Sequence, residues 1–451
     1  MKKQVDMTNG PLGKKIILFT IPLLITGIFQ QMFNACDVAV VGQFAGKEAM
    51  AAVGSNSPVI ALLINLFIGI SLGTNVVIAK AIGQKNEDRV GKAVHTSILI
   101  SIIAGIALII LGEIFAAKAI GALGVPDEVY PLALLYLRIY LLGMPVILLY
   151  NFETAIFRSC GNTKTPLMAL MASGVINVVL NMIFVILFNM SVAGVAIATV
   201  TANLVSSVIL FVNLIKTDLD IKFSFKKLKI DVSTLKEILR IGVPSGIQSM
   251  IFSFANIIIQ SAVNSLGTTI MAASAAAFNL EIFSFYVMNS FNQSCTTFVG
   301  QNFGAGKLDR CLKSLKICLL QCFVCTAIFC TTILMFAKPL LGVFNPDPDV
   351  IASGIVRLRY IFFAYTFSFA QETTSGYLRG FGLSFLPAIC SIVGICGIRL
   401  FWIFVIFPKY PSFETIMKVY PISLGLTAVA IVLSALIVKP SKKFAGNNAR
   451  V

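Results

Sequence analysis

Twelve apolar stretches of about twenty residues or more divide this chain, and no other feature constrains its fold as tightly. They fall at 16–42, 50–79, 93–116, 131–156, 166–188, 193–215, 241–263, 270–298, 317–341, 355–378, 385–407 and 420–438. At about 1.5 Å per residue, some 20 residues of helix cross about 30 Å of hydrocarbon. Inside a bilayer each segment must satisfy its own backbone N–H and C=O groups, so stretches of this length fold as helices. Charged residues make up only 12% of the chain, against roughly 25% in a soluble domain. No connecting segment is long enough to hold a soluble domain. The expected fold is an all-α polytopic membrane protein with twelve transmembrane helices. The first stretch follows Lys2, Lys3, Lys14 and Lys15, but it is too long for a secretory signal and lacks a small-residue cleavage site. It is expected to remain as a span.

The stretches form two sets of six. Gly46 pairs with Gly267, Ala51-Ala52 with Ala272-Ala273, Asp88-Arg89 with Asp309-Arg310 and Leu137-Arg138 with Leu358-Arg359, all 221 residues apart. Arg158 and Arg379, Gly161 and Gly382, and Pro166 and Pro387 keep the same offset, while Pro22 and Pro244 differ by 222. Matches of such varied residue types at one offset mark an internal duplication. The halves are expected as two pseudo-symmetric six-helix lobes, residues 1–215 and 241–451, joined by a basic cytoplasmic linker at 216–240. That linker carries Lys216, Lys222, Lys226, Lys227, Lys229, Lys236 and Arg240 against four acids. It is expected to behave as a slack tether.

Lysine and arginine set the orientation. With the N-terminus inside, 26 of the 35 basic residues fall in inner segments, and the outer loops hold only Lys47, Lys118, Lys338, Lys409 and Lys418. Both termini are therefore expected in the cytoplasm, and the protein as multi-pass in the inner (plasma) membrane. The +16 net charge is then a consequence of topology, and no nucleic acid is expected as a partner. Ten cysteines lie almost wholly inside the spans, and with His95 the sole histidine they read as helix packing rather than metal ligands. There is no GxxxxGK(S/T) phosphate loop or HExxH pair, so ATP hydrolysis and zinc hydrolysis have no support.

Charge at the centre of a span is costly and faces the bundle interior. Five such residues stand out: Asp37, Glu153, Glu281, Glu372 and Arg399. Asn177 and Asn181 are one helical turn apart, and with Thr199 they fall at the same outer depth as Asp37, within one lobe. A carboxylate ringed by amide and hydroxyl oxygens can take a proton or ligate Na⁺. Polar packing between helices is the plainer reading of the same residues. Glu281 sits near mid-membrane in the second lobe, where an unpaired carboxylate could hold a proton or a cationic substrate. Glu153 and Glu372 lie closer to the cytoplasm, with Arg158 and Arg379 following within two turns, and Glu153 is expected to be ion-paired. Arg399 is expected to neutralise one of the acids. Phe278, Phe283 and Phe285 flank Glu281 and could offer cation–π surface. With Glu372 and Gln248 they make up the expected substrate cavity.

One loop, Gly83 to Lys92, looks like the DRxGR/K loop of the major facilitator superfamily. Its copy in the second half, Gly300-Gln301-Asn302-Phe303-Gly304-Ala305-Gly306-Lys307, does not fit that family. That copy, Asp37-x-x-x-x-Gly42 after Gln30-Gln31, and Phe157-Arg158-Ser159-Cys160-Gly161-Asn162-Thr163-Lys164-Thr165-Pro166 together resemble the multidrug and toxic compound extrusion (MATE) family, over roughly residues 12 to 440. The resemblance implies a cofactor-free antiporter that exports amphipathic, often cationic small molecules in exchange for H⁺ or Na⁺. In that family two six-helix lobes rock around a central cavity. It also implies a cation site on Asp37, Asn177, Asn181 and Thr199. Several family members carry Asp where this chain has Asn181, a departure that favours H⁺ over Na⁺. A monomer embedded in lipid is expected. Two other readings are a lipid-linked oligosaccharide flippase of related fold, which would want a more cationic cavity than these acid-bearing spans offer, and an intramembrane enzyme.

Overall fold

A computed structural model describes residues 5–443. The chain is helical along its length: α1 Leu12–Phe44, α2 Lys47–Gly83, α3 Glu87–Ala122, α4 Tyr130–Leu142, α5 Met144–Ser159, α6 Lys164–Met182 and α7 Ser191–Lys216 in the first half. The second half holds α8 Val232–Asn264, α9 Thr268–Gly304, α10 Leu308–Met335, α11 Ala337–Phe344, α12 Pro348–Gly380, α13 Phe385–Ser391, α14 Ile398–Phe401 and α15 Phe413–Val438. Eleven spans are long and apolar enough to cross a membrane, and α4 with α5, bent by 50° at their junction, makes the twelfth. Gly143 stands at that bend with Pro145 just beyond it, and a Cβ on Gly143 would lie 2.3 Å from the Val200 side chain. Most helices begin earlier than the apolar stretches, because their first turns reach past the hydrocarbon and tolerate charge. Thus α12 starts at Pro348 and α8 at Val232, seven and nine residues before the stretches expected there.

The duplication is visible in the backbone. Gly46 and Gly267 precede α2 and α9 with φ of 91° and 98°, and Gly161 and Gly382 follow α5 and α12 with φ of 86° and 82°. These are left-handed positions that favour glycine.

By compactness the chain forms two units, Val5 with Pro22–Gly246, and Asp6–Ile21 with Ile247 onward. Helices α1 and α8 each change unit close to an internal proline, Pro22 and Pro244, where a missing N–H frees a turn of the helix to bend. In the first unit the leading half of α8 lies against α2 on a glycine seam. A Cβ on Gly69 would stand 2.1 Å from the Gly246 amide nitrogen, and one on Gly73 would stand 2.2 Å from the Ile238 carbonyl oxygen. Gly69 and Gly73 on α2, and Gly242 and Gly246 on α8, are both four-residue repeats of the kind that let membrane helices touch backbone to backbone. In the second unit α12 is central, packed on α9, α10 and α15, around a core that includes Leu280, Leu358, Phe362 and Tyr420.

The linker is not slack. Ile221 and Phe223 are buried in the first unit's core, and the Phe223 amide donates to the Leu214 carbonyl at 3.0 Å. The His95 ring stacks on Phe223 with centroids 5.0 Å apart, and its Nε2 accepts from the Ser224 amide at 3.0 Å. The Asp231 amide then donates to Thr96 Oγ1 at 3.0 Å, one residue before α8 begins. The alternation Ile221-Lys222-Phe223-Ser224 explains the docking, since it buries every second side chain and leaves Lys222 exposed.

Candidate functional site

Helix α1 carries Asp37, α6 carries Asn177 and Asn181, and α7 carries Thr199, and the first unit brings all four together. Asn181 Nδ2 donates to Asp37 Oδ1, and Thr199 Oγ1 donates to Asp37 Oδ2 at 3.1 Å. The ring closes through Asn177, which accepts from Asn181 Nδ2 at 3.2 Å and donates to Thr199 Oγ1 at 3.5 Å. Asp37 is buried and has no cation within ion-pair distance among the described residues. Asn181 Oδ1 is buried and has no hydrogen-bond partner among the described residues, which leaves one acceptor beside the carboxylate.

Two local features position this ring. A Cβ on Gly174 would fall 1.9 Å from the Phe33 ring, so glycine there lets α1 lie close on α6. Phe33 is one turn before Asp37, and Gly174 is one turn before Asn177. Immediately after Met182 the helix widens into a π-helical turn, Ile183–Leu187, a deformation often found at functional sites.

The second unit differs from expectation. Glu281 is not unpaired: Arg357 Nε and Nη2 donate to its two oxygens at 3.0 and 2.6 Å. Arg357 Nη1 also donates to Ser274 Oγ at 2.6 Å, and both charged side chains are buried. Arg399 neutralises no acid among the described residues. Its Nη1 donates to Asn256 Oδ1 at 2.7 Å and its Nε to Ser423 Oγ at 3.4 Å. Arg357 escaped the sequence reading because the apolar stretch begins at 355, which put it at a membrane edge. In fact α12 starts at Pro348, and Arg357 lies well inside it.

Of the three phenylalanines, Phe278 is placed near the pair, its ring 5.9 Å from Arg357 Cζ. Phe285 tilts against Tyr286, and Phe283 is half-buried with no ring partner among the described residues. Neither Phe283 nor Phe285, two and four residues beyond Glu281, is brought to the pair. Glu372 and Gln248 belong to a separate polar chain. Asn292 Nδ2 donates to Glu372 Oε2, Arg379 donates to Asn292 Oδ1 at 3.4 Å and to Gln248 Oε1 at 2.7 Å, and Gln248 Nε2 donates to Ser391 Oγ at 2.9 Å. Glu153 lacks its expected ion pair among the described residues. Its Oε2 accepts from Ser207 Oγ at 2.9 Å, and its Oε1 is buried with no hydrogen bond among the described residues. The interior charges are thus more evenly balanced than the sequence reading held, with Arg357, Arg379 and Arg399 buried in the second unit.

Comparison with known proteins gives a consistent answer. The family model described as MatE matches residues 22–183 and 244–405, one segment in each half. The "Probable multidrug resistance protein YoeA" of Bacillus subtilis is 27% identical, over 86% of this chain and 85% of its own length. The "FAD transporter" of Shewanella oneidensis is 26% identical, over 78% of each chain. A solved MOP superfamily transporter from Pyrococcus furiosus superposes with a TM-score of 0.90 at 23% identity, covering 98% of this chain and 99% of that one. That last likeness is one of fold.

Proposed function

The chain belongs to the MatE family of multidrug efflux transporters, and on that premise we propose that it is an antiporter driven through Asp37. In this reading amphipathic small molecules leave the cell as protons enter, and each proton is taken up at the Asp37 carboxylate and released on the other side. The observation that carries it is the closed ring of Asp37, Asn177, Asn181 and Thr199. A lone carboxylate with neutral partners can change its charge by one without leaving a second charge unpaired. Protons suit the site better than Na⁺, since one carboxylate and a few neutral oxygens bind a hard cation weakly. Both termini lie in the cytoplasm, the plasma membrane houses the protein, and the monomer is the working unit. The two compact units alternate access as bodies.

The test uses the full-length protein in proteoliposomes, with ethidium as substrate and a pH gradient and a potential imposed separately. Asp37→Asn should abolish gradient-driven accumulation while the protein remains inserted and monodisperse. Transport by Asp37→Asn at the wild-type rate would overturn the reading, and a Na⁺ gradient that drives transport at constant pH would replace the proton by Na⁺. One observation favours the flippase alternative, namely the three buried arginines of the second unit. Ethidium export coupled to the pH gradient would exclude it.

A further inference from the structure

The second unit buries more positive charge than negative. Two guanidinium groups stand by the Tyr420 ring, Arg399 at 4.7 Å and Arg357 at 6.0 Å. Glu281 is taken up by Arg357 through both its oxygens. Arg399, 2% exposed, touches only neutral groups, Asn256, Ser423, Tyr420 and the Phe252 ring at 5.2 Å, and the acid near enough to act on it, Glu281, is the one already paired with Arg357. Its Nη2 makes no hydrogen bond among the described residues. A guanidinium remains charged at any cellular pH. Holding one out of water without a counter-charge is costly, and buried charges inside membrane proteins are kept where they serve a function.

Two further features bear on what the counter-charge is. Arg399 lies in a four-residue helix with π-helical turns on both sides, Ile392–Gly397 and Trp402–Ile406, and such turns recur at functional sites. Trp402 and Ile406, one and two turns beyond Arg399, line an open groove of about 610 Å³ together with Tyr410 and Thr415, and Lys409 and Lys418 line it too. Thr415 begins the same helix that brings Ser423 to Arg399. Aromatic surface with two lysines, and the buried Arg399 one helical turn from the lining residue Trp402, suit a flat molecule that bears a negative group.

We infer that the second unit holds an anion subsite, in which Arg399 takes a carboxylate or phosphate of the transported molecule. The exported compounds then include amphipathic anions and zwitterions. This rests on the exporter reading above and narrows its substrate class. The contact is bidentate from Arg399, with Asn256 and Ser423 holding the guanidinium plane.

A matched pair of probes tests it: norfloxacin, whose carboxylate and amine make it a zwitterion, and its methyl ester, which lacks only the anionic group. Binding of each to the purified full-length protein in detergent is read from probe fluorescence. Wild type should bind the acid about 10-fold or more tightly than the ester, the scale of a charge-assisted hydrogen-bonded pair. Arg399→Gln should remove that preference and Arg399→Lys should keep part of it. Should Arg399→Gln fail to fold, Asn256→Asp gives an independent arm. It puts a carboxylate where Asn256 now meets Arg399, and should cancel the preference by occupying the guanidinium from within.

Equal binding of acid and ester by wild type would overturn the inference alone, as would a preference that survives in Asn256→Asp. Binding of neither probe would overturn the multidrug reading and this inference with it. Loss of the preference when the micelles carry phosphatidylglycerol would assign Arg399 to a lipid headgroup, and the substrate inference would fail.

Discussion

Glu281→Gln tests whether the second unit is built around a buried ion pair. The substitution keeps the volume and one hydrogen-bond acceptor but leaves Arg357 without the carboxylate that now accepts at 3.0 and 2.6 Å. Both partners are at most 5% exposed, so solvent cannot supply a counter-charge. Breaking such a pair from one side costs about 3–5 kcal/mol, because the remaining charge stays buried. Arg399 raises the stakes, since it stands by the same Tyr420 ring and Glu281 is the only buried acid among the described residues of this unit. At about 2–4 °C per kcal/mol for a unit of some 200 residues, the melting temperature should fall by roughly 6–20 °C. The assay is thermal unfolding of the purified protein in detergent. Trp402, the chain's single tryptophan, lies in this unit and reports on it directly. The double variant Glu281→Gln/Arg357→Met removes both charges, and should recover most of the loss, since an apolar replacement of a buried pair is often neutral. If the single variant melts with wild type, the pair contributes nothing and the charge argument for this unit collapses. A double variant no better than the single would show that packing, not charge, was lost.

Three further outcomes are expected. Gly69→Ala should destabilise the first unit by about 1–3 kcal/mol or more, since its Cβ meets α8 backbone that cannot turn aside. Gly54→Ala in the same helix meets nothing within 4 Å and should be neutral or gain up to about 1 kcal/mol, and thermal unfolding of the two variants separates them. Asn181→Asp should convert the Asp37 ring to a two-carboxylate site and make ethidium export respond to a Na⁺ gradient, measured in proteoliposomes at fixed pH. Asp231 opens α8, and the Thr234 hydroxyl and amide hold its carboxyl below the usual carboxylate range. A lowered folded value means stabilisation that is complete above the unfolded value and lost as pH falls through the folded one. Protection of the amides in the first turn of α8, measured as exchange relative to the intrinsic rate at each pH, should therefore be high at neutral pH and fall only below about pH 4, whereas Asp231→Ala should show low protection throughout.

The polar ring around Asp37 was legible because two simple rules suffice for it. Depth along each apolar stretch put Asp37 and Thr199 level, and the four-residue spacing of Asn177 and Asn181 put them on one face. The partners in the second unit were not legible. Glu281 and Arg357 are 76 residues apart on α9 and α12, and hydropathy cannot say which faces of two helices meet. It also misjudged depth, because α12 begins with a polar turn outside the apolar stretch. The docked linker left a usable signal in the alternation of Ile221 and Phe223 with Lys222 and Ser224, outweighed at first reading by the density of lysine. The glycine seam had a signal as well, a pair of glycines four apart on each of α2 and α8, hidden among the 33 glycines of the chain.

What the two copies share and what they do not follows from the cost of each feature. A turn that enters a helix through φ near 90° needs glycine in either copy, and Gly46 and Gly267 supply it. Side-chain chemistry has no such compulsion. Opposite Glu281, 221 residues earlier, stands Ile60, and opposite Arg399 stands Val178. Opposite Asp37 stands Ile258 at that offset or Ile259 at the offset of the two prolines. A buried charge is expensive wherever it is placed, and Asp37, Glu281 and Arg399 have apolar counterparts in the other copy, whereas Arg379 keeps an arginine counterpart in Arg158. The first unit buries two carboxylates with neutral partners, Asp37 and Glu153, and the second buries three guanidinium groups against Glu281 and the half-buried Glu372. Charges of opposite sign in the two units can serve two ligands of opposite sign, a coupling cation in one and an anionic group of the substrate in the other. On that division Asp37→Asn should disable coupling without altering the preference for acid over ester, and Arg399→Gln should do the reverse.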